Sequence, residues 1–329
     1  MSRELSLAEI FQLGYYWETK ILLTAVKLEV FSCLDNRSRT AAEAADKLGA
    51  EEQALRLLLN ALVALRVLSK NGERYSNSSV AQEYLVKHSS QYIGHLLVLH
   101  DAEWDNWGKL ETAVRSGRSP VQRHVFETHP ELGANVLSVL DRIGRRSGPD
   151  LARRLALDGA RTMLDVGGGA GTNAIAFCQV YPDLAVTVLD LPTTLPLTER
   201  TVKDAGLETR ITLLGGDFNR DSLGGSYDVV LMSDVLHYQD GLTNAALVKK
   251  VFSHLVPGGR LVIKDRFIDP SGTSPAWTTA FAVHIFVNTE HGACYRTADT
   301  MEWMRAAGYD PVSELEQTAV VQGIKPHEP

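Results

Sequence analysis

The chain has 329 residues, 44% of them hydrophobic and 22% charged, with a formal charge of −7. That length exceeds one ordinary domain and the apolar share suffices for two cores, while the acidic balance disfavours a nucleic-acid partner, which needs clustered Lys and Arg against phosphate. No apolar run reaches the roughly 18 residues of a bilayer span, and Met1-Ser2-Arg3-Glu4-Leu5-Ser6 lacks the basic and apolar regions of a secretory signal; Cys33, Cys178 and Cys294 lack metal-ligand spacing and their odd count fits a reducing compartment better than a disulfide framework, so a cytoplasmic protein is expected.

Residues 1 to about 35 read as helix, with Leu7, Ile10, Phe11, Leu13, Tyr16, Trp17, Ile21, Leu22 and Leu23 covering more than one stripe. One side can face its own domain and the other needs a partner. Residues 40–68 read as a helix pair. Thr40 precedes Ala41-Ala42-Glu43 in a capping-box arrangement, and Gly49 stands where the first helix should stop. The second carries Leu55, Leu58, Leu59, Leu62 and Leu65 on one face and Leu57, Ala61, Ala64 and Leu68 on another. Asn71-Gly72 then signals a hairpin turn, so the segment suggests a winged helix. A DNA-reading helix would present several polar and basic groups to a groove. This one offers Arg56 and Arg66 on a largely apolar surface, which fits a protein–protein interface better.

Residues 80–150 look helical, with breaks at 116–120, at His129-Pro130 and at Gly148-Pro149, the last a candidate domain boundary. Beyond it, short β-rich runs at 161–166, 185–189, 210–214, 227–232 and 260–265 alternate with helical stretches, the pattern of a parallel α/β sheet.

The chemistry clusters at the ends of those runs. Leu164-Asp165-Val166-Gly167-Gly168-Gly169-Ala170-Gly171-Thr172 follows the first strand and opens a helix. Glycines allow a tight turn and close approach of a ligand to the backbone. The dinucleotide pattern Gly-x-Gly-x-x-Gly fails at Thr172, whereas Gly-x-Gly-x-Gly with an acid two residues ahead fits. Asp190, in Val188-Leu189-Asp190-Leu191-Pro192, is spaced to accept hydrogen bonds from ribose hydroxyls. Gly215-Gly216-Asp217-Phe218 after the third strand supplies an acid and an aromatic ring suited to adenine. No P-loop lysine motif is present. Each acid alone reads equally well as a cap or loop residue; three at successive strand ends do not.

With Val235-Leu236-His237, Pro257-Gly258-Gly259-Arg260-Leu261 and Arg296-Thr297 added, the chain from about residue 10 to 325 resembles the class I S-adenosylmethionine-dependent methyltransferases of the small-molecule O-methyltransferase type. Members of that family act on plant phenolics, bacterial polyketides and bacteriochlorophyll. The resemblance implies a seven-stranded Rossmann-like sheet preceded by a mostly helical winged-helix domain. It divides the chain into a dimerisation domain (1–100), a helical linker contributing to the substrate pocket (101–150) and an S-adenosylmethionine-binding catalytic domain (151–329). By the same resemblance Asp165, Gly167, Gly169 and Gly171 surround the methionine part of the cofactor, Asp190 and Leu191 the ribose, and Asp217 and Phe218 the adenine, with Ser233 alongside. The expected partners are a small-molecule acceptor and a second copy of the chain, with no nucleic acid and no membrane.

His237 matches the family's catalytic histidine, and Asp265, just after the next strand, matches the carboxylate that orients it. A hydroxyl acceptor benefits from such a base because a phenol with pKa near 10 is mostly neutral at pH 7. The bland alternative makes His237 a cap or pocket-wall residue. Candidates for the acceptor pocket are His100, Trp104, Trp107, Tyr238, Phe281, His284, Asn288 and Tyr295, with Tyr15 and Trp277 as further possibilities; for any single aromatic, core packing is the simpler account. The acceptor half departs from the pattern. His237-Tyr238-Gln239 replaces His-Asp-Trp, Tyr295 stands where a Glu commonly precedes Arg-Thr, and Glu290-His291-Gly292 replaces Pro-Gly-Gly. A sulfur or carboxylate acceptor that needs no strong base therefore remains an alternative, and a winged-helix regulator with a cofactor-sensing domain a second. His284, Asn288 and His291 are spaced to share a helical face, but without a carboxylate or cysteine at i+3 or i+4 no metal is expected.

Overall fold

A computed structural model describes residues 4–122, 125–315 and 319–327. Residues 1–3, the start of the expected first helix, lie outside them. The chain forms two compact units, one up to Trp104 and the other from Asp105.

In the first unit the expected continuous helix is three: Leu7–Leu13, Trp17–Lys27 and Val30–Cys33. Gly14 ends the first, and Glu29, held at φ 58°, turns the chain before the third. Thr40 and Glu43 cap Ala41–Leu48 reciprocally and Gly49 at φ 63° ends it, as the sequence pattern requires. Glu51 caps the next helix, Glu52–Ala64, which buries Leu55, Leu59 and Leu62 and leaves Leu57 exposed. Strands β1 (Arg39–Thr40), β2 (Leu68–Asn71) and β3 (Arg74–Asn77) pair in the order β1-β3-β2, with Gly72 in the β2–β3 turn. Helix pair and hairpin thus make the expected winged-helix arrangement. The core gathers Phe31, Leu34, Leu59, Leu62 and Tyr75, whose hydroxyl donates to Asn60 Oδ1 at 2.8 Å. At the N-terminal end Leu7, Phe11, Leu13, Tyr16 and Trp17 are left exposed.

The second unit is built on a seven-stranded sheet of β4 (Thr162–Val166), β5 (Ala185–Asp190), β6 (Ile211–Gly215), β7 (Tyr227–Ser233), β8 (Leu255–Lys264), β9 (Val312–Glu314) and β10 (Val320–Ile324). Its order is β6-β5-β4-β7-β8-β10-β9, parallel from β6 to β8, with β10 antiparallel to both neighbours. Alternate strand residues face opposite sides. Leu164, Val230, Met232, Leu261 and Ile263 pack with Leu247, Val251 and Met304; Met163, Val229, Leu231 and Val262 pack with Ala152, Leu155, Ile175 and Phe177. Both faces are therefore covered, which explains why these strands read as continuous apolar runs. Gly148-Pro149 opens the helix Gly148–Leu155 within this unit. No helix among the described residues is long and apolar enough to cross a membrane.

The strand order reverses direction beside β4. Ligands of open α/β sheets bind at the carboxyl ends of the strands flanking such a point, and the residues singled out by sequence follow β4, β5, β6, β7 and β8 at that edge.

Candidate active site

The glycine turn leaves β4 with Gly167, Gly169 and Gly171 at φ 65°, 55° and 80°, a region that side chains rarely adopt. Gly168 is required by space: a Cβ there would stand 2.8 Å from Val188 and 2.9 Å from the Asp165 carboxyl. Asp190 Oδ2 accepts from the Gly169 N–H at 2.8 Å, and its Oδ1 from the Leu191 N–H at 2.7 Å, so the end of β5 clamps the turn. From behind, Thr198 donates to Gly169 O at 2.6 Å and Thr201 donates to Ala170 O.

Asp165 is 1% exposed, and neither carboxylate oxygen has a hydrogen-bond partner among the described residues. Burial pushes its carboxyl up to about 7, and the Asp190 charge adds to the shift; the Ala174 N–H, outside hydrogen-bonding geometry, acts weakly against it. An unpartnered buried carboxylate is costly. A cationic ligand group brought to it would relieve that cost.

Phe218 lies over the same turn, its ring 3.6 Å from where a Cβ on Gly167 would be. Asp217 begins the loop, accepting from the Asn219 N–H at 2.9 Å, while Lys250 donates to Phe218 O at 2.9 Å. Ser233, at the end of β7, donates to Asp234 Oδ2 at 3.1 Å.

His237 sits in a 3-10 turn, Leu236–Tyr238, directly after β7, and is 3% exposed. Its Nδ1 lies 2.7 Å from Asp265 Oδ1. That oxygen also accepts from the Arg266 N–H, and Asp265 Oδ2 from the Leu236 N–H. A carboxylate only accepts, so this contact puts the proton of the neutral imidazole on Nδ1 and leaves the lone pair on Nε2. Tyr238 and Phe281 flank the imidazole at 4.4 and 5.2 Å between ring centres.

Phe281 belongs to the helix Ala276–Asn288, which also presents Trp277, His284 and Asn288. Trp277 and His284 each stack on Phe281, Trp107 lies 6.2 Å from His284, and Asn106 donates to Asn288 Oδ1 at 2.9 Å. The helix ends at Asn288, so His291 does not share its face; it is exposed and lies 3.5 Å from Glu290.

Tyr295 lies in the chain between the helix Ala276–Asn288 and the last one, Thr297–Ala307. Its hydroxyl donates to Gln239 O, and Gln239 and Asn244 link it to the 3-10 turn, Asn244 donating to Leu236 O at 2.9 Å. The position where the family pattern carries an acid here anchors the backbone beside the histidine. His100, Trp104 and Tyr15 belong to the first unit, where Trp104 packs against Tyr16 and Lys20 and Tyr15 stacks on Trp17.

Sequence reasoning missed Asp234, Lys264 and Arg266. Asp234, at φ 58°, pairs with Lys264 Nζ at 2.6 Å and lies 3.6 Å from Arg266 Nε. Burial works to raise its carboxyl, but Lys264, Arg266 and His237 hold it below the usual range. Asp234, His237 and Asp265 offer donor atoms within 4.8 Å of one another. The protein's own cations already occupy Asp234, and Asp265 is held by His237 and two backbone N–H groups. Asn244 was legible in principle: it shares the 3–4 spacing of buried Leu247, Val248 and Val251, a polar residue on an apolar face.

A family model for an O-methyltransferase domain matches residues 107–310, and one for an O-methyltransferase dimerisation domain matches residues 11–87. The chain belongs to the O-methyltransferase family. It is a methyltransferase that draws on S-adenosylmethionine, and it carries the family's dimerisation domain. It is 30% identical over 322 residues to 3-hydroxy-5-methyl-1-naphthoate 3-O-methyltransferase of Streptomyces sahachiroi, covering 94% of this chain and 92% of that one. It is 33% identical over 268 residues to the N,N-dimethyltransferase OxyT of Streptomyces rimosus, covering 79% and 78%. Among solved structures, an O-methyltransferase family protein from Burkholderia thailandensis superposes with a TM-score of 0.85 at 27% identity, covering 99% of this methyltransferase and all of that chain.

Proposed function

We propose that this methyltransferase transfers the methyl group to a hydroxyl of a small aromatic or conjugated metabolite, with His237 as general base and Asp265 as the residue that orients it. S-adenosylmethionine supplies an electrophilic methyl on a sulfonium, so the protein's work is alignment, exclusion of water and proton removal. The relatives named above are named for oxygen and for nitrogen acceptors, so the acceptor atom must be argued from the site. The observation that carries the choice of a hydroxyl is the buried His237–Asp265 pair at 2.7 Å. A thiolate or carboxylate acceptor would need no such base, whereas a phenol must lose its proton as the new bond forms.

Asp165 and the glycines of 167–171 would hold the methionine part of the cofactor, since a buried carboxylate without a partner fits an ammonium group and a turn bare of side chains lets a ligand approach the backbone closely. Asp190 keeps lone pairs free for two ribose hydroxyls after accepting from Gly169 and Leu191. Leu191 and Ser233 would line that site, with Asp217 and Phe218 at the adenine. On the acceptor side Tyr238, Phe281, His284 and Trp107 would form an aromatic wall facing His237, with the Asn288 amide beside them. His100, Trp104 and Tyr295 remain proposed acceptor-side residues, Tyr295 acting through the backbone it anchors. Residues 101–150 serve as the linker contributing to that pocket, between a dimerisation domain (1–100) that joins two copies and a catalytic domain (151–329).

Methyl transfer from labelled S-adenosylmethionine to a panel of hydroxyarenes, followed by mass spectrometry, tests the acceptor class. The pH–rate profile of the His237→Ala variant on any accepted hydroxyarene tests the base. A rate unchanged from wild type across pH 6–9 would remove His237 from the chemistry.

A further inference from the structure

Arg266 follows the orienting Asp265, and its charge is only partly met, by Asp234 at 3.6 Å. Its guanidinium carbon lies 4.7 Å from the ring centre of Trp277 and 4.8 Å from that of Phe281, two rings stacked 5.0 Å apart and nearly parallel. Phe281 meets the His237 ring at 5.2 Å in an edge-to-face contact, so one phenyl ring touches both guanidinium and imidazole. Among the described residues the guanidinium makes no hydrogen bond, and Nε is buried without a partner, facing Asp234 Oδ1 only at 3.6 Å. Asp234 is drawn closer to Lys264, at 2.6 Å, so one carboxylate faces two cations. Asp265 cannot supply the missing charge, because its oxygens serve His237 and two backbone N–H groups.

Both distances to the rings are within cation–π range, and the fork of N–H donors that a guanidinium carries matches a planar carboxylate through two hydrogen bonds. The Arg266 side chain is 39% exposed, so an incoming molecule can reach it. We propose that Arg266, on its Trp277–Phe281 platform, is an anion subsite that selects acceptors bearing a carboxylate on the same aromatic ring system as the hydroxyl to be methylated. The inference rests on the reading that the acceptor stacks beside His237. The carboxylate is a handle and not the methylated group: the ion pair uses its oxygens to place the hydroxyl at the imidazole.

Binding, read apart from turnover, tests the subsite. Enzyme saturated with S-adenosylhomocysteine is titrated calorimetrically with 3-hydroxy-2-naphthoate and with the corresponding carboxamide, which keeps shape and hydroxyl but not charge. Wild type should bind the carboxylate about tenfold more tightly, the effect of one charge-assisted bidentate contact at a partly exposed site. Arg266→Met should close that gap and Arg266→Lys should keep part of it, with S-adenosylhomocysteine affinity retained in both as the check on folding. His237→Ala should keep the gap while losing turnover, which separates failure of the subsite from failure of the base. Equal affinity for the two probes in wild type, no binding of either, or a gap that survives Arg266→Met would overturn the proposal.

Discussion

The imidazole of His237 and the carboxylate of Asp265 meet at 2.7 Å in a site where both are almost wholly buried, at 3% and 4% side-chain exposure. Two backbone N–H groups fix the carboxylate, so the ring has one orientation and one tautomer. Replacing Asp265 by Asn keeps the shape but presents an amide that can donate to Nδ1 and invert the tautomer. We expect Asp265→Asn to lower kcat by about 10²-fold or more, within the range general-base catalysis supplies, with little change in cofactor affinity. Single-turnover rates beside a calorimetric S-adenosylhomocysteine titration measure both. A kcat within threefold or so of wild type would show that orientation of the ring does not limit the reaction.

Asp165 yields a pH prediction whose sign follows from its burial. In the folded apoprotein its carboxyl stays protonated up to about 7, whereas in the unfolded chain it ionises near 4. The folded state therefore holds the extra proton between those values, and apoprotein stability falls as pH rises through that window. A bound ammonium favours the ionised form, so ligand binding releases a proton. S-adenosylhomocysteine should bind more weakly by up to about tenfold per pH unit below 7, and Asp165→Asn should bind weakly at every pH with that slope removed. Affinities measured from pH 5.5 to 8.5 decide it, and a slope that survives in the Asn variant would reassign the titrating group.

Gly292 is the glycine kept where Glu290-His291-Gly292 replaces Pro-Gly-Gly, and a Cβ there would stand 2.5 Å from His237 O and inside contact distance of Thr289 and Ile285. The Ala293 N–H also donates to that carbonyl at 3.1 Å. Gly292→Ala must push the histidine turn aside. The expected cost is about 1–3 kcal/mol of stability, as for an overpacked core, together with a loss of kcat that exceeds any change in KM. Thermal unfolding and steady-state kinetics on one preparation separate the two, and full activity at unchanged stability would mean the turn has room to move.

Cofactor-side residues were legible because each is local to a strand end: a strand, a glycine turn and an acid follow one another in the chain, and the parallel sheet aligns those ends. Strands β4 to β8 were legible for the same reason, two-sided burial making them continuous apolar runs. Strand β9 spans three residues, and β10, as long as β4, joins the sheet antiparallel beyond the last motif, outside the strand–helix alternation that marked the others. The acceptor side is assembled across the chain. Tyr295 binds Gln239 O over 56 residues of separation and Asn106 binds Asn288 over 182. Such pairings depend on where helices pack, and no spacing rule announces them. Arg266 stands beside a predicted residue, but its meaning comes from Trp277 and Phe281 on the next helix.

Dimerisation can be tested on the surface that the first unit leaves uncovered. Phe11 and Trp17 are each 59% exposed and Leu13 is 76% exposed, so these side chains add little to the core of their own unit. A contiguous apolar face of that kind is costly in water unless a second chain covers it. Wild-type protein should run in light scattering at about twice 36.1 kDa. Introducing Phe11→Glu and Trp17→Glu together buries two unpaired charges at a symmetric interface and repeats them across its axis. The double variant should run as a monomer at micromolar concentration while its far-ultraviolet dichroism stays that of the folded chain. A variant that remains dimeric would move the interface away from the N-terminal helices, and one that unfolds on dissociation would show that the two copies fold as a unit.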